Sequence, residues 1–206
     1  CVGFGVIPEA WGSNADAMQI GNSGMLFGQN NANVFTTGSN FYWDNTNYKR
    51  IDADLPSRHV QFQGEHIFSH AVTGSADTNI TWVESLRIKS SGNVGIGTTA
   101  INARLDIDGA GGSPATSGTT QNGVVRIRNA DNNNCLDMGQ IAGSPYGSWI
   151  QATDVTDLSA KNPLYLNLNG GQVLLGTTTE GQNQADNLTV SDTGNMGMTL
   201  RSTNSN

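Results

Sequence analysis

Three histidines, His59, His66 and His70, crowd one short stretch of this 206-residue chain. His66 and His70 stand four residues apart, which on a helix would turn two imidazoles toward one metal ion. The stretch HIFSHAV (His66–Val72) alternates like a strand instead, and on a strand both rings still face one side. His66 and His70 are therefore candidate metal ligands, weighed against solvated or hydrogen-bonded imidazoles, the favoured reading. Carboxylates recur in i, i+2 pairs, Asp52 with Asp54 and Asp106 with Asp108. Such same-face pairs suit Ca²⁺, or the acid and base of a glycosidase. Neither pair has the Asp-x-Asp-x-Asn-Gly density of a calcium loop, so turn-forming and solubilising roles are preferred.

Other chemistry is weaker still. The glycines of GNVGIG (Gly92–Gly97) run in the reverse order of a dinucleotide fingerprint, and a Thr-rich turn follows them in place of a helix. No cofactor is expected. No Gly-x-Ser-x-Gly elbow marks a nucleophilic serine, and the chain reads as a non-enzyme. Cys1 and Cys135 make no disulfide framework. Cys1 would be lipidated in a mature lipoprotein, an idea its flank VGFGVIP supports little. Cys135 reads as a small, partly buried apolar residue. Trp11, Trp43, Trp82 and Trp149, with Tyr42 and Tyr146, could stack on sugars or fill β units. Interior packing is favoured, least for Tyr146 and Trp149 beside the SPYGS turn, which stay candidate receptor-binding residues.

The elements that hold these residues are short strands. Helix formers are sparse, while Gly (26 residues), Asn, Ser and Thr crowd between brief runs of Val, Ile, Leu, Phe and Tyr. Charged residues are only 13%, which argues against ordinary disorder. Apolar residues are 36%, a thin core for one chain, of the kind that other copies complete. Net charge is −7 with no basic cluster, which excludes a nucleic-acid footprint. No stretch approaches the ~18 apolar residues of a membrane helix.

Strands are expected at Met18–Ile20, Gly24–Gly28, Asn40–Trp43, Tyr48–Ile51, His59–Gln63, His66–Val72 and Ile80–Glu84. NFYW-DNTN-YKRI reads as a hairpin with a four-residue loop. Further strands are expected at Leu86–Lys89, Arg104–Asp108, Gly123–Asn129, Cys135–Ile141, Ser148–Ala152, Leu164–Leu168 and Asn187–Ser191. One phrase recurs, SGNVGIGTT at Ser91–Thr99 and GGQVLLGTT at Gly170–Thr178, and each copy lies between two of these strands. Such self-similarity marks stacked units that cannot bury their apolar faces alone. Even spacing places Ile88, Val94 and Ile96 on one face, with Val173 and Leu175 equivalent in the second copy, and all are expected to be buried. Four segments follow: a β-rich module over 1–85, the first repeat and linker over 86–112, a second module over 113–180, and the start of a third unit over 181–206. The Gly/Ser-rich stretch Gly109–Thr120 joins them.

Leu86–Thr99 (LRIKSSGNVGIGTT) resembles a phrase found widely in tail fibres and related fibrous virion proteins of bacteriophages, especially marine phages. Asn40–Ile88, Leu136–Thr178 and Asn187–Ser202 resemble the same material, so the likeness covers most of the chain. The resemblance implies an all-β, repetitive, elongated and intertwined homotrimeric fibre, of a kind often followed by an intramolecular chaperone domain. In such a trimer a histidine near the axis appears three times, the setting in which His66 and His70 would hold a metal. The implied function is structural, host attachment from the virion tail. The implied partners are further copies, other virion tail proteins, and a host surface glycan or protein receptor, with no nucleic acid and no membrane insertion. An enzymatic tailspike cleaving host polysaccharide and a bacterial trimeric surface adhesin are the alternatives.

Overall fold

The computed structural model describes residues 1–30 and 32–169, together with the strands Val173–Leu175 and Leu188–Val190. The described residues are all β, with no helix among them. The strands are β1 (Val2–Phe4), β2 (Ala15–Ile20), β3 (Gly24–Gln29), β4 (Val34–Ser39), β5 (Tyr42–Trp43), β6 (Tyr48–Lys49), β7 (Ser57–Phe62) and β8 (Glu65–His70). They continue with β9 (Val83–Ile88), β10 (Val94–Ile96), β11 (Leu105–Ile107), β12 (Val125–Arg128), β13 (Asn134–Ile141), β14 (Gly147–Asp154), β15 (Val173–Leu175) and β16 (Leu188–Val190). The chain divides into two compact units, one of Cys1–Gly112 with Ala142–Ser144, the other of Ser113–Ile141 with the chain from Pro145.

The first unit is built on one nine-stranded sheet in the order β1-β2-β3-β4-β7-β8-β9-β10-β11. Local chemistry sets its meander. Gln63 and Gly64 both adopt positive φ, 50° and 80°, the two-residue turn that matches strand twist between β7 and β8. The expected hairpin forms as β5–β6, pairing Trp43 with Tyr48. Its turn is closed by the Asp44 carboxylate, which accepts the Thr46 and Asn47 amides at 2.9 and 2.7 Å.

That hairpin and its neighbours cover one face of the sheet. Trp11 packs on Phe27 at 5.4 Å between ring centroids, and Phe41 meets Tyr48 at 5.7 Å and Trp82 at 5.3 Å edge to face. The Arg58 guanidinium, on the same face, lies under these rings, 4.2 Å from Trp82 and 4.8 Å from Tyr48. Arg50 is buried at the edge of this layer and donates to the Val72 and Asn79 carbonyls, both at 2.8 Å, tying down the loop after β8.

Several expectations change here. β1 and β4 were not expected as strands, and Leu164–Leu168, expected as one, carries none. Its leucines are exposed, so nothing on that segment is held in a ladder. Position 85/86 is not a break in the sheet, since β9 runs through it, whereas the division at Gly112/Ser113 falls inside the Gly-rich stretch.

The second unit has a three-stranded antiparallel sheet, β12-β13-β14, and the parallel pair β15–β16. The remainder of the expected third unit, including NMGMTLRS, lies outside the described residues.

Candidate functional site

Strand register sorts the nine-stranded sheet into two very different faces. On the face away from the aromatic layer one cross-strand ladder runs Val2, Met18, Leu26, Thr37, His59, Phe68, Leu86, Ile96, Ile107. Beside it runs Asp16, Gly28, Phe35, Gln61, His66, Ile88, Val94, Leu105, and on its other side Phe4, Ile20, Gly24, Ser39, Ser57, His70, Val83. These ladders contain no Lys, Arg or Glu, and one carboxylate, Asp16. The charges stand on the opposite face, where Arg87 donates to Glu65 at 2.9 Å and to Glu84 at 2.9 Å, alongside Arg58.

The ordinary rule for a one-sided antiparallel sheet is apolar inward and polar toward water. Here the face that this chain leaves open also carries large apolar side chains, while the charges lie on the covered one. Phe35 on β4 is 44% exposed, with Phe4, Ile20, Phe68, Val83 and Leu105 also exposed.

The second unit repeats the arrangement. Val125, Met138 and Ile150 form one ladder on one face of its sheet, and Ile127, Leu136 and Ala152 the next. Ile127 is 59% exposed. The buried face carries the charge: Asp137, 1% exposed, receives Arg126 Nε at 2.6 Å and Nη2 at 2.9 Å. Burial pushes the Asp137 carboxyl up, but Arg126 outweighs it, with Gln121 and Cys135, and holds the group below the ordinary carboxylate range.

The repeat residues lie on the open face. Ile88, Val94 and Ile96 do share one side of the sheet, since Val94 pairs with Ile88 and Ile96 with Leu86. They are not buried within the chain: Ile96 is 42% exposed, and Val94 and Ile88 are half-buried. The buried member is Gly95, facing inward, where an added Cβ would lie 2.6 Å from Ile101 Cγ1. The side chain filling that space is Ile101, on the loop that returns the chain to pair β11 parallel to β10. In the second copy β15 pairs β16 in the same parallel sense, Val173 with Leu188, and Val173 is half-buried. The Leu175 side chain lies outside what is described.

His66 and His70 share the open face but take separate partners. His66 Nδ1 meets His59 Nε2 at 3.1 Å, and His70 Nδ1 meets Ser85 Oγ at 2.8 Å. His59 also stacks flat on Phe68, 4.3 Å between centroids. Among the described residues no group of three or more His, Cys, Asp or Glu is gathered to hold a metal. The carboxylate pairs serve turns: Asp54 accepts the Leu55 amide at 2.7 Å and Asp106 the Asn102 amide at 2.9 Å. Trp11, Trp43, Trp82 and Tyr42 belong to the aromatic layer or its margin. Tyr146 is 81% exposed. Trp149 is half-buried instead, its ring lying where a Gly139 side chain would be, 2.5 Å from an added Cβ. Cys1 is exposed, and Cys135 is buried against Thr153 and Asp137.

The histidine pair makes the first unit sensitive to acid. Burial, and then the charge of His66, hold the His59 pKa below its ordinary 6.5. The folded sheet thus binds this proton less readily than the unfolded chain, so this contribution is present above pH 6.5 and is lost as pH falls through the lowered value. Thermal unfolding followed from pH 7.5 to pH 5 should show a falling midpoint, and His59→Gln should flatten that slope. An unchanged slope in His59→Gln would show that the pair does not carry it.

No protein-family model, curated protein or solved structure matches the chain.

Proposed function

We propose that this chain is part of a bacteriophage tail fibre or related virion fibre, a homotrimeric structural protein that carries host attachment. The observation that carries the reading is the repeated phrase. Its wording resembles phage fibre proteins, and in both copies its strand pairs parallel with the strand that follows, β10 with β11 and β15 with β16. Repeated units of this kind stack into long objects whose stability comes from neighbouring repeats and copies. Attachment by such a fibre is mechanical and multivalent. A stiff shaft presents tips at a distance, and several copies raise the effective concentration of weak contacts with a surface glycan or protein. Tyr146, exposed beside its turn, is the aromatic best placed among the described residues to meet a receptor. The chain acts without catalysis, alongside other tail proteins of the virion.

Mass measurement of the purified chain in native buffer tests the assembly, with three copies expected and a stable folded monomer fatal to the reading. The same protein should compete with virus for adsorption to host cells and leave host capsule or lipopolysaccharide unshortened. Shortening that vanishes when Asp52 and Asp54, or Asp106 and Asp108, are changed to Asn would favour the enzymatic tailspike instead.

A further inference from the structure

We propose that copies of this chain meet on the open face of the nine-stranded sheet, the Val2–Ile107 ladder of one packing on the same face of its neighbour. The proposal deepens the fibre reading above and rests on it for the number of copies. Three observations carry it. The exposed large side chains of the three ladders, spread over the nine strands, together leave on the order of 700 Å² of apolar surface open, near the ~800 Å² per partner of a stable interface. Charge is sorted in the same sense, with Arg58, Glu65, Glu84 and Arg87 all on the other side of the sheet. The second unit independently repeats the sorting, with Asp137 buried beneath a half-buried Arg126 and its Ile127 and Ile150 face open.

The occupant is a second copy because the open face approaches one partner's share of a stable interface and lacks the carboxylates through which copies would repel. A chain of net charge −7 repels its copies except through a surface without carboxylates. The three ladders form such a surface, with Asp16 alone at one end. In a trimer the three open faces turn toward one axis, where each meets the same face of both neighbours and their apolar side chains interleave.

Phe68→Asp on the full chain tests the face, with Ile7→Asp as control because Ile7 is 90% exposed and stands outside the sheet. Native mass should fall to a single chain in Phe68→Asp, with the β circular-dichroism signal kept, and stay assembled in Ile7→Asp. A wild-type monomer would overturn the fibre reading and this proposal together. An assembled wild type whose Phe68→Asp variant stays fully assembled would overturn the face alone. Should Phe68→Asp fail to fold, Phe68→Cys in a Cys1→Ser background keeps the question open to measurement. A maleimide should label Cys at position 68 at least tenfold more slowly than Cys at position 7 in the assembled protein, and equal rates would overturn the proposal.

Discussion

Phe41→Ala should destabilise the first unit by about 3–5 kcal/mol, the range for truncating a fully buried phenylalanine. Phe41 is fully buried among Trp11, Tyr48 and Trp82, and no sheet strand supplies its side chain. Its loss would leave a cavity under the rings that cover Arg58, and that guanidinium would gain water at the expense of its contacts with Tyr48 and Trp82. Equilibrium unfolding in urea, followed by tryptophan fluorescence, measures the loss directly, since two of the four tryptophans flank the site. Leu55→Ala, at an exposed position, should stay within about 0.5 kcal/mol of wild type. A Phe41→Ala protein within 1 kcal/mol of wild type would show that the aromatic layer is not the core of this unit.

Asp137→Ala should destabilise the second unit by about 1.5–3 kcal/mol, because it removes the charge-assisted hydrogen bonds that Arg126, itself half-buried, donates to the sheet. Cys135 reports the event. Its Sγ is buried against Asp137 and Thr153, so a thiol reagent reaches it only when the sheet opens. In a Cys1→Ser background, Asp137→Ala should speed modification of Cys135 by roughly tenfold or more, a decade for each ~1.4 kcal/mol lost. Asp137→Asn, which keeps the shape and one acceptor, should lie between the two. The same pair sets an acid limit on this sheet. A carboxyl held below 3.8 contributes stability that is present above that value and lost as pH falls through the lowered one. Thiol reactivity unchanged in Asp137→Ala would mean that the ion pair does not hold the sheet closed.

Much of the local structure was legible from residues alone. The hairpin over Asn40–Ile51 follows from aromatic strands flanking DNTN, and Asp44 closes that turn through contacts two and three residues away. The placement of Ile88, Val94 and Ile96 on one side of the sheet follows from period two across a tight turn. The β class follows from the scarcity of helix formers between turn residues. Their burial did not follow, because alternation names two faces of a strand without saying which one is covered. The cover comes from Trp11, Phe41 and Trp82 over the charged side, and at the repeat itself from Ile101, which lies over Gly95.

Partner choice was set by strand register. His66 and His70 are close in sequence and do share a face, but register brings His59 of β7 to His66 and a bulge in β8–β9 brings Ser85 to His70. Interior packing was least favoured for Trp149, yet it lies opposite Gly139 on β13, where the absent side chain gives the indole a place to rest. That the chain is β, turn-rich and weakly charged could be read from composition and short spacings, because those properties are carried by neighbours within a few residues. Which faces are covered and which apolar ladders stand open came from the fold, because it depends on which loops and hairpins close over a sheet whose strands mostly pair with their sequence neighbours.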